Sequence, residues 1–228
     1  MSEQSKYKPI NCDYYDHFEI HAMRKTWIRL DIKEDDERTY YTKIKTLQTK
    51  AKSEYATLLH GQIIRLDQVI EMIPVDLTGS RIGAILDKIE HNQWANHLIM
   101  KTLHGQEISE DIKSALSHIF NAMDIWNTRM DSQGYGYGIW QVHDLADCMT
   151  IAEAMYQSTT AVLNEHSIDD MIKYTNLSGD AHQSSVRDIL LHIVNHGTYH
   201  RGQIIQLLQQ DGLKTVSTDF IKYSRIRG

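Results

Sequence analysis

Three histidines fall at successive steps of four in the stretch Leu191-His192-Ile193-Val194-Asn195-His196-Gly197-Thr198-Tyr199-His200-Arg201-Gly202-Gln203. On a helix, neighbours at this spacing lie about 6 Å apart along the axis, close enough for two imidazoles to share one divalent ion. Projection at about 100° per residue centres the apolar stripe of Val186, Ile189, Ile193 and Leu207 between His196 and His200, with His192 near its edge. The inward pair is therefore His196 and His200. Two imidazoles turned into an apolar core carry nitrogens that need partners, and an ion satisfies both at once. The bland alternative is a core histidine bonded to a backbone carbonyl.

Two positions on one helix cannot surround an ion, so a third ligand must come from a facing helix. His118, beside the apolar stripe of an earlier helix, is the candidate. Asn92 and Asn96 sit on the apolar face of the helix before that, where they would orient imidazoles or a bound water. Tyr199 and Arg201 lie off the stripe centre and would either support a ligand or cover surface. His192 reads as a surface or supporting residue. Asp124 reads as a solvated acid rather than a general base.

The elements that must hold these residues follow from periodicity. Beyond Pro74-Val75-Asp76-Leu77-Thr78-Gly79-Ser80, which punctuates the chain as a linker, the apolar period is about 3.6. Ile82, Ile85, Ile89, Asn92, Asn96, Ile99 and Leu103 share one helical face. Ile112, Leu116, Ile119, Met123, Trp126 and Met130 form a second stripe, after Ser109 and two acids that suit a helix start. A third helix is expected over about Val142 to Glu165 and a fourth over about Ser185 to Gln210, closed by Gly212. Four such helices make a bundle. The glycine-rich run Gly134 to Gly138 reads as a loop between the second and third.

Before the linker the period is two. Ile28, Leu30 and Ile32 alternate with Trp27, Arg29 and Asp31 ahead of a turn at Lys33 to Glu37, and Arg38–Leu47, Glu54–Leu59 and Gln62–Ile70 read as further strands. His60-Gly61 is a tight turn between the last two. Asn11 is a helix cap for a short helix over about Asp13 to Met23. The expected class is α+β in two domains, residues 1–73 and 81–228, joined by a linker at 74–80.

Composition bounds the function. The chain has 228 residues, 24 Lys and Arg against 30 Asp and Glu, and thirteen histidines. Up to Met72 twelve bases balance twelve acids, leaving twelve against eighteen beyond it, so the C-terminal part is not built for DNA. No apolar run approaches the roughly 20 residues that span a bilayer, and the polar start MSEQSKYKPINCD lacks a secretory core, so a cytoplasmic protein is expected. Cys12 and Cys148 have no CxxC spacing and read as free thiols.

The NHGTYHRGQ run resembles the last-helix signature of the DinB family of bacterial metal-binding bundles. His118 with Trp126 eight residues later resembles that family's second helix, and Asn92-Gln93-Trp94-Ala95-Asn96 its first. The resemblance spans about Leu77 to Ile221. It implies an up-down-down-up bundle, often dimeric, with His118, His196 and His200 as ligands to zinc, or to nickel, manganese or iron. It also implies thiol-dependent transferase or hydrolase chemistry, in which the ion activates a small thiol or a water.

The run Tyr7 to Glu19, with Ile64-Arg65-Leu66-Asp67, resembles Rof, a small antiterminator with an Sm-like barrel that binds the termination factor Rho. This resemblance spans about Tyr7 to Met72. It implies that Asp13, Asp16 and Glu19, at steps of three along one face, meet the basic RNA-binding surface of Rho; capping and a wet surface are the alternative. Lys43, Lys45, Lys50 and Lys52 would contact RNA or line a solvated strand edge.

Overall fold

The computed structural model describes residues 7–33, 38–130 and 136–227. It is a mixed α/β protein with two compact units, Met1–Ser80 together with Leu163–Glu165, and Arg81–Val162 together with His166–Gly228. Most of the turn expected at 33–37, and Gly134 and Tyr135 of the glycine-rich run, lie outside the described residues.

The first unit opens with helix α1 (Cys12–Arg24). Its orphan first-turn amide is met by Asn11, whose Oδ1 accepts the Asp13 N–H at 3.0 Å. It ends at Lys25 in the left-handed region, φ 51, with the Lys25 and Thr26 amides folded back onto the last turn. Phe18, fully buried, anchors the helix to a core built from Ile28, Leu30, Ile32, Tyr40 and Leu58. Asp13, Asp16 and Glu19 remain exposed.

Six strands follow: β1 (Ile28–Ile32), β2 (Arg38–Thr42), β3 (Ile44–Lys50), β4 (Ser53–Leu58), β5 (Ile63–Arg65) and β6 (Val69–Pro74). Alternation in β1 emerges as expected, with Ile28, Leu30 and Ile32 buried between half-buried neighbours. Trp27, grouped by alternation with the opposite face, is instead buried just ahead of the strand, its ring covered by Lys43.

The closed barrel is corrected. Among the described residues the ladders form two antiparallel three-stranded sheets, β2-β1-β6 and β3-β4-β5. The run 38–47, continuous by alternation, breaks at Lys43, so β2 pairs with β1 while β3 turns to β4. A 3-10 turn at Leu66–Gln68 breaks 62–70 in the same way and returns β6 to β1. Alternation fixes which side chains turn inward, but not which edge a strand chooses.

Beyond the linker, helices α2 (Arg81–Leu103), α3 (Glu110–Arg129), α4 (Leu145–Glu165) and α5 (Val186–Gln210) match the four expected stripes, and α6 (Phe220–Arg227) follows. Ser185 caps α5 by accepting the Asp188 N–H, and Gly212, φ 69, ends it with a Leu213 N–H bond to the Leu208 carbonyl. Helices α2 and α3 both pack on α5. Helix α4 is tied to α3 by the Thr159 hydroxyl on Asn127 and to α2 by Tyr156 on Glu90. Helical periodicity does not anticipate the hairpin of β7 (Met171–Thr175) and β8 (Ala181–Ser185). Its signal was a short period-two run beside the turn residues Asn176 and Gly179. Among the described residues no helix is long and apolar enough to cross a membrane.

Asn92 and Asn96 explain how α2 meets α5. Their Oδ1 atoms accept from the same Nη1 of Arg201, at 2.6 and 2.8 Å, and Thr198 Oγ1 accepts from Nη2 at 2.9 Å. The asparagines, expected to orient imidazoles or a bound water, turn these oxygens to Arg201, which is not surface cover: it is 1% exposed. Burial pulls its pKa down to about 10, so it stays charged at neutral pH. A buried guanidinium must take hydrogen bonds wherever the fold offers oxygens, and α2 offers two of them one turn apart.

Gly197 makes that approach possible. A Cβ there would lie 2.6 Å from Asn92 Oδ1 and 2.9 Å from Arg201 Nη1. Gly197→Ala is expected to lower stability by about 1–3 kcal/mol through overpacking, read from urea midpoints. A neutral outcome would mean that α2 and α5 can separate at no cost.

Candidate metal centre

Helix α5 carries His196 and His200 one turn apart, and both are half-buried. Their Nε2 atoms face each other at 3.2 Å. From α3 comes His118, buried, with its ring centroid 5.0 Å from that of His196 and 4.6 Å from that of His200. One nitrogen from each of the three lies within 4.8 Å of the others. The structure thus brings the three expected residues together from two helices.

The outer nitrogens define the tautomers. His118 Nδ1 faces the Ile139 carbonyl at 3.0 Å. A carbonyl only accepts, so the His118 proton sits on Nδ1 and its Nε2 lone pair is free to act as a ligand. His200 Nδ1 faces Gln203 Oε1 at 2.7 Å, which assigns its proton in the same way. The indole of Trp140 stacks on His118 at 4.0 Å with planes 10° apart.

These residues suit a divalent ion. Tetrahedral zinc with Zn–N distances of about 2.0–2.1 Å places its ligand nitrogens about 3.3–3.4 Å apart, near the observed His196–His200 separation. Burial, with the neighbouring rings of His200, His118 and His192, pulls the His196 pKa down to about 4. Burial and His118 lower that of His200 as well. Both imidazoles are therefore neutral at physiological pH, the form that ligates.

The other expected residues fall elsewhere. His192 is exposed, with its ring edge on Trp126 at 5.0 Å. Tyr199 is 64% exposed and sets its ring edge-on to His200 at 5.1 Å. Asp124 is not a solvated acid: it is 2% exposed and accepts the Tyr137 N–H at 3.1 Å. Sequence reasoning missed Trp140, Ser117, Asn121 and His143. The last three surround the loop that returns to His118. A polar run at 117, 121 and 124, one helical face beside the apolar stripe, was the available signal.

Helices α3 and α5 bring three histidines to one place, and a buried arginine ties α5 to α2; together they describe a helical histidine-cluster protein. The chain belongs to the DinB family, which matches residues 84–227, more than half of its length. Protein DinB of Bacillus subtilis (strain 168) is 26% identical over 164 residues, which make up 59% of this chain and 90% of the relative. Residues 9–86 match the family described as modulator of Rho-dependent transcription termination (ROF). No solved structure matches the chain.

The lowered imidazole pKa values set a pH dependence. The unfolded chain takes up these protons at about pH 6.5 and the folded one only at lower pH, so the unfolded state binds more protons in between. The stability held by neutral His196 is complete above that pH and is lost as the pH falls toward about 4. The urea midpoint of the metal-free protein is expected to drop over this window, and His196→Gln to flatten the slope. Equal slopes in both proteins would contradict the assigned direction.

Proposed function

We propose that residues 81–228 form a four-helix bundle holding a divalent ion, zinc first, through His118, His196 and His200, and that residues 1–73 form a Rof-like interaction domain joined to it by residues 74–80. The observation that carries the metal assignment is the convergence of three imidazoles with the outer Nδ1 positions of two of them facing Ile139 and Gln203. Family membership supports it.

A bound ion with three uncharged ligands would keep its full charge and lower the pKa of a thiol or water beside it, the chemistry of a thiol-dependent transferase or hydrolase. The residues of this chain do the positioning. Ile139 and Gln203 hold protons away from the ligand nitrogens of His118 and His200, and the exposed Tyr199 ring flanks His200 on its solvent side.

Elemental analysis of the purified chain is expected to find about one zinc or other divalent ion per molecule. His196→Ala should weaken uptake by at least about 100-fold while moving the metal-free melting temperature by only a few degrees. Unchanged metal content in that variant would end the assignment, and loss of stability as the main effect would favour a structural ion.

A second function is supported by the ROF match and the exposed acids of α1. Asp13, Asp16 and Glu19 would dock on a basic surface of Rho, with the bundle as structural partner. Asp16→Lys is expected to weaken a Rho pull-down about tenfold or more. Binding that survives the charge reversal would remove the acidic face from the interaction.

A further inference from the structure

We propose that Asn121, held by His143, is a positioning residue for the metal centre: it fixes the turn whose Ile139 carbonyl and Trp140 indole together set His118. This rests on His118 being a ligand, as assigned above.

The segment that returns to α3 after the glycine-rich run is fastened along one face of that helix. Tyr137 donates its amide to Asp124 Oδ2 at 3.1 Å, and His143 donates its amide to Ser117 Oγ at 2.9 Å. Between them Asn121, fully buried, donates Nδ2 to the carbonyls of Gln141 at 2.8 Å and Ile139 at 3.3 Å. Ser117, Asn121 and Asp124 are one polar stripe at i, i+4 and i+7, and all are buried.

The orientation of the Asn121 amide follows from its partners. Two carbonyls accept from it, so its Nδ2 faces them and its Oδ1 faces His143 Nε2 at 2.7 Å. His143 must then carry a proton on Nε2 and donate it. His143, itself buried, is braced by the edge-on ring of Tyr137 at 4.7 Å. The amide is locked on both sides.

One turn therefore constrains His118 twice. Gly138–Gln141 closes with the Gln141 N–H on the Gly138 carbonyl at 2.9 Å. Its Ile139 carbonyl takes the His118 Nδ1 proton, which selects the tautomer, and its Trp140 indole lies flat on the ring, which selects the ring plane. Ile139 accepts from Asn121 and His118 together, so the carbonyl that reads the histidine is itself aimed by the asparagine. A group that bonds a ligating histidine directly, as the Ile139 carbonyl does, typically changes metal affinity by about 10–100-fold when lost, and Asn121 acts one hydrogen bond further out.

The test uses the full chain, with cobalt(II) absorption and zinc competition for affinity, and ¹⁵N NMR of the metal-free protein for the His118 tautomer. Asn121→Ala is expected to weaken zinc about tenfold, the low end for outer partners, and to mix the His118 tautomers. Asn121→Asp keeps the volume and the acceptor for His143 but loses both donors, and should behave alike even if the alanine variant folds poorly. His143→Gln, which retains a donor toward Asn121, should stay within about threefold of wild type. Unchanged affinity and an unchanged tautomer in the Asn121 variants would overturn the proposal. Should the wild type bind no zinc, the ligand assignment falls, and the tautomer comparison still decides whether Asn121 sets His118.

Discussion

Arg201 governs how the helical unit can be assembled. It is a full positive charge in a nearly water-free place, bound by three neutral oxygens from Asn92, Asn96 and Thr198. Such a group tolerates little displacement, because an unpaired buried charge costs far more than a lost neutral bond. Helices α2 and α5 must therefore meet at the register where both asparagine oxygens reach it, and the bare backbone of Gly197 allows them to come that close. His200 precedes Arg201 by one residue and His196 by five, so the same lock sets the rotation and height of both imidazoles. The glycine, threonine and arginine of the NHGTYHRGQ run have structural work, while its histidines and Gln203 face the candidate centre.

His118 reaches that centre by a different route. A returning loop sets its ring, through a backbone carbonyl and a stacked indole. The two halves of the cluster thus have separate supports, one a charge locked between helices and the other a neutral amide locked between carbonyls and an imidazole. Burial then keeps His196 and His200 deprotonated, so the electrostatics that would penalise a charged histidine favour the ligating form.

The first unit divides its labour along α1. Phe18 points into the core while the acids at 13, 16 and 19 face solvent, so packing and surface chemistry occupy different faces of one short helix. The sheets behind it supply a core rather than a cleft of reactive groups: Leu30 is fully buried between Tyr40 of β2 and Met72 of β6. Helix α1 and these sheets lie within residues 9–86, which match the ROF family.

The inward pair of histidines, the four long helices and the half-buried strand β1 were all legible in the sequence, because each depends on spacing along one element, and that spacing is set by covalent geometry. His118 could be named as a facing ligand for a related reason: its helix has a well-marked apolar stripe. Tertiary structure alone decided that Asn92 and Asn96 serve Arg201, that Asp124 is buried, that Asn121 holds the Ile139 and Gln141 carbonyls, and that the described strands pair as two three-stranded sheets. Those contacts join residues far apart in the chain, and they are chosen by which hydrogen-bonding groups are left without water once the elements pack. Periodicity along one element carries no record of that competition.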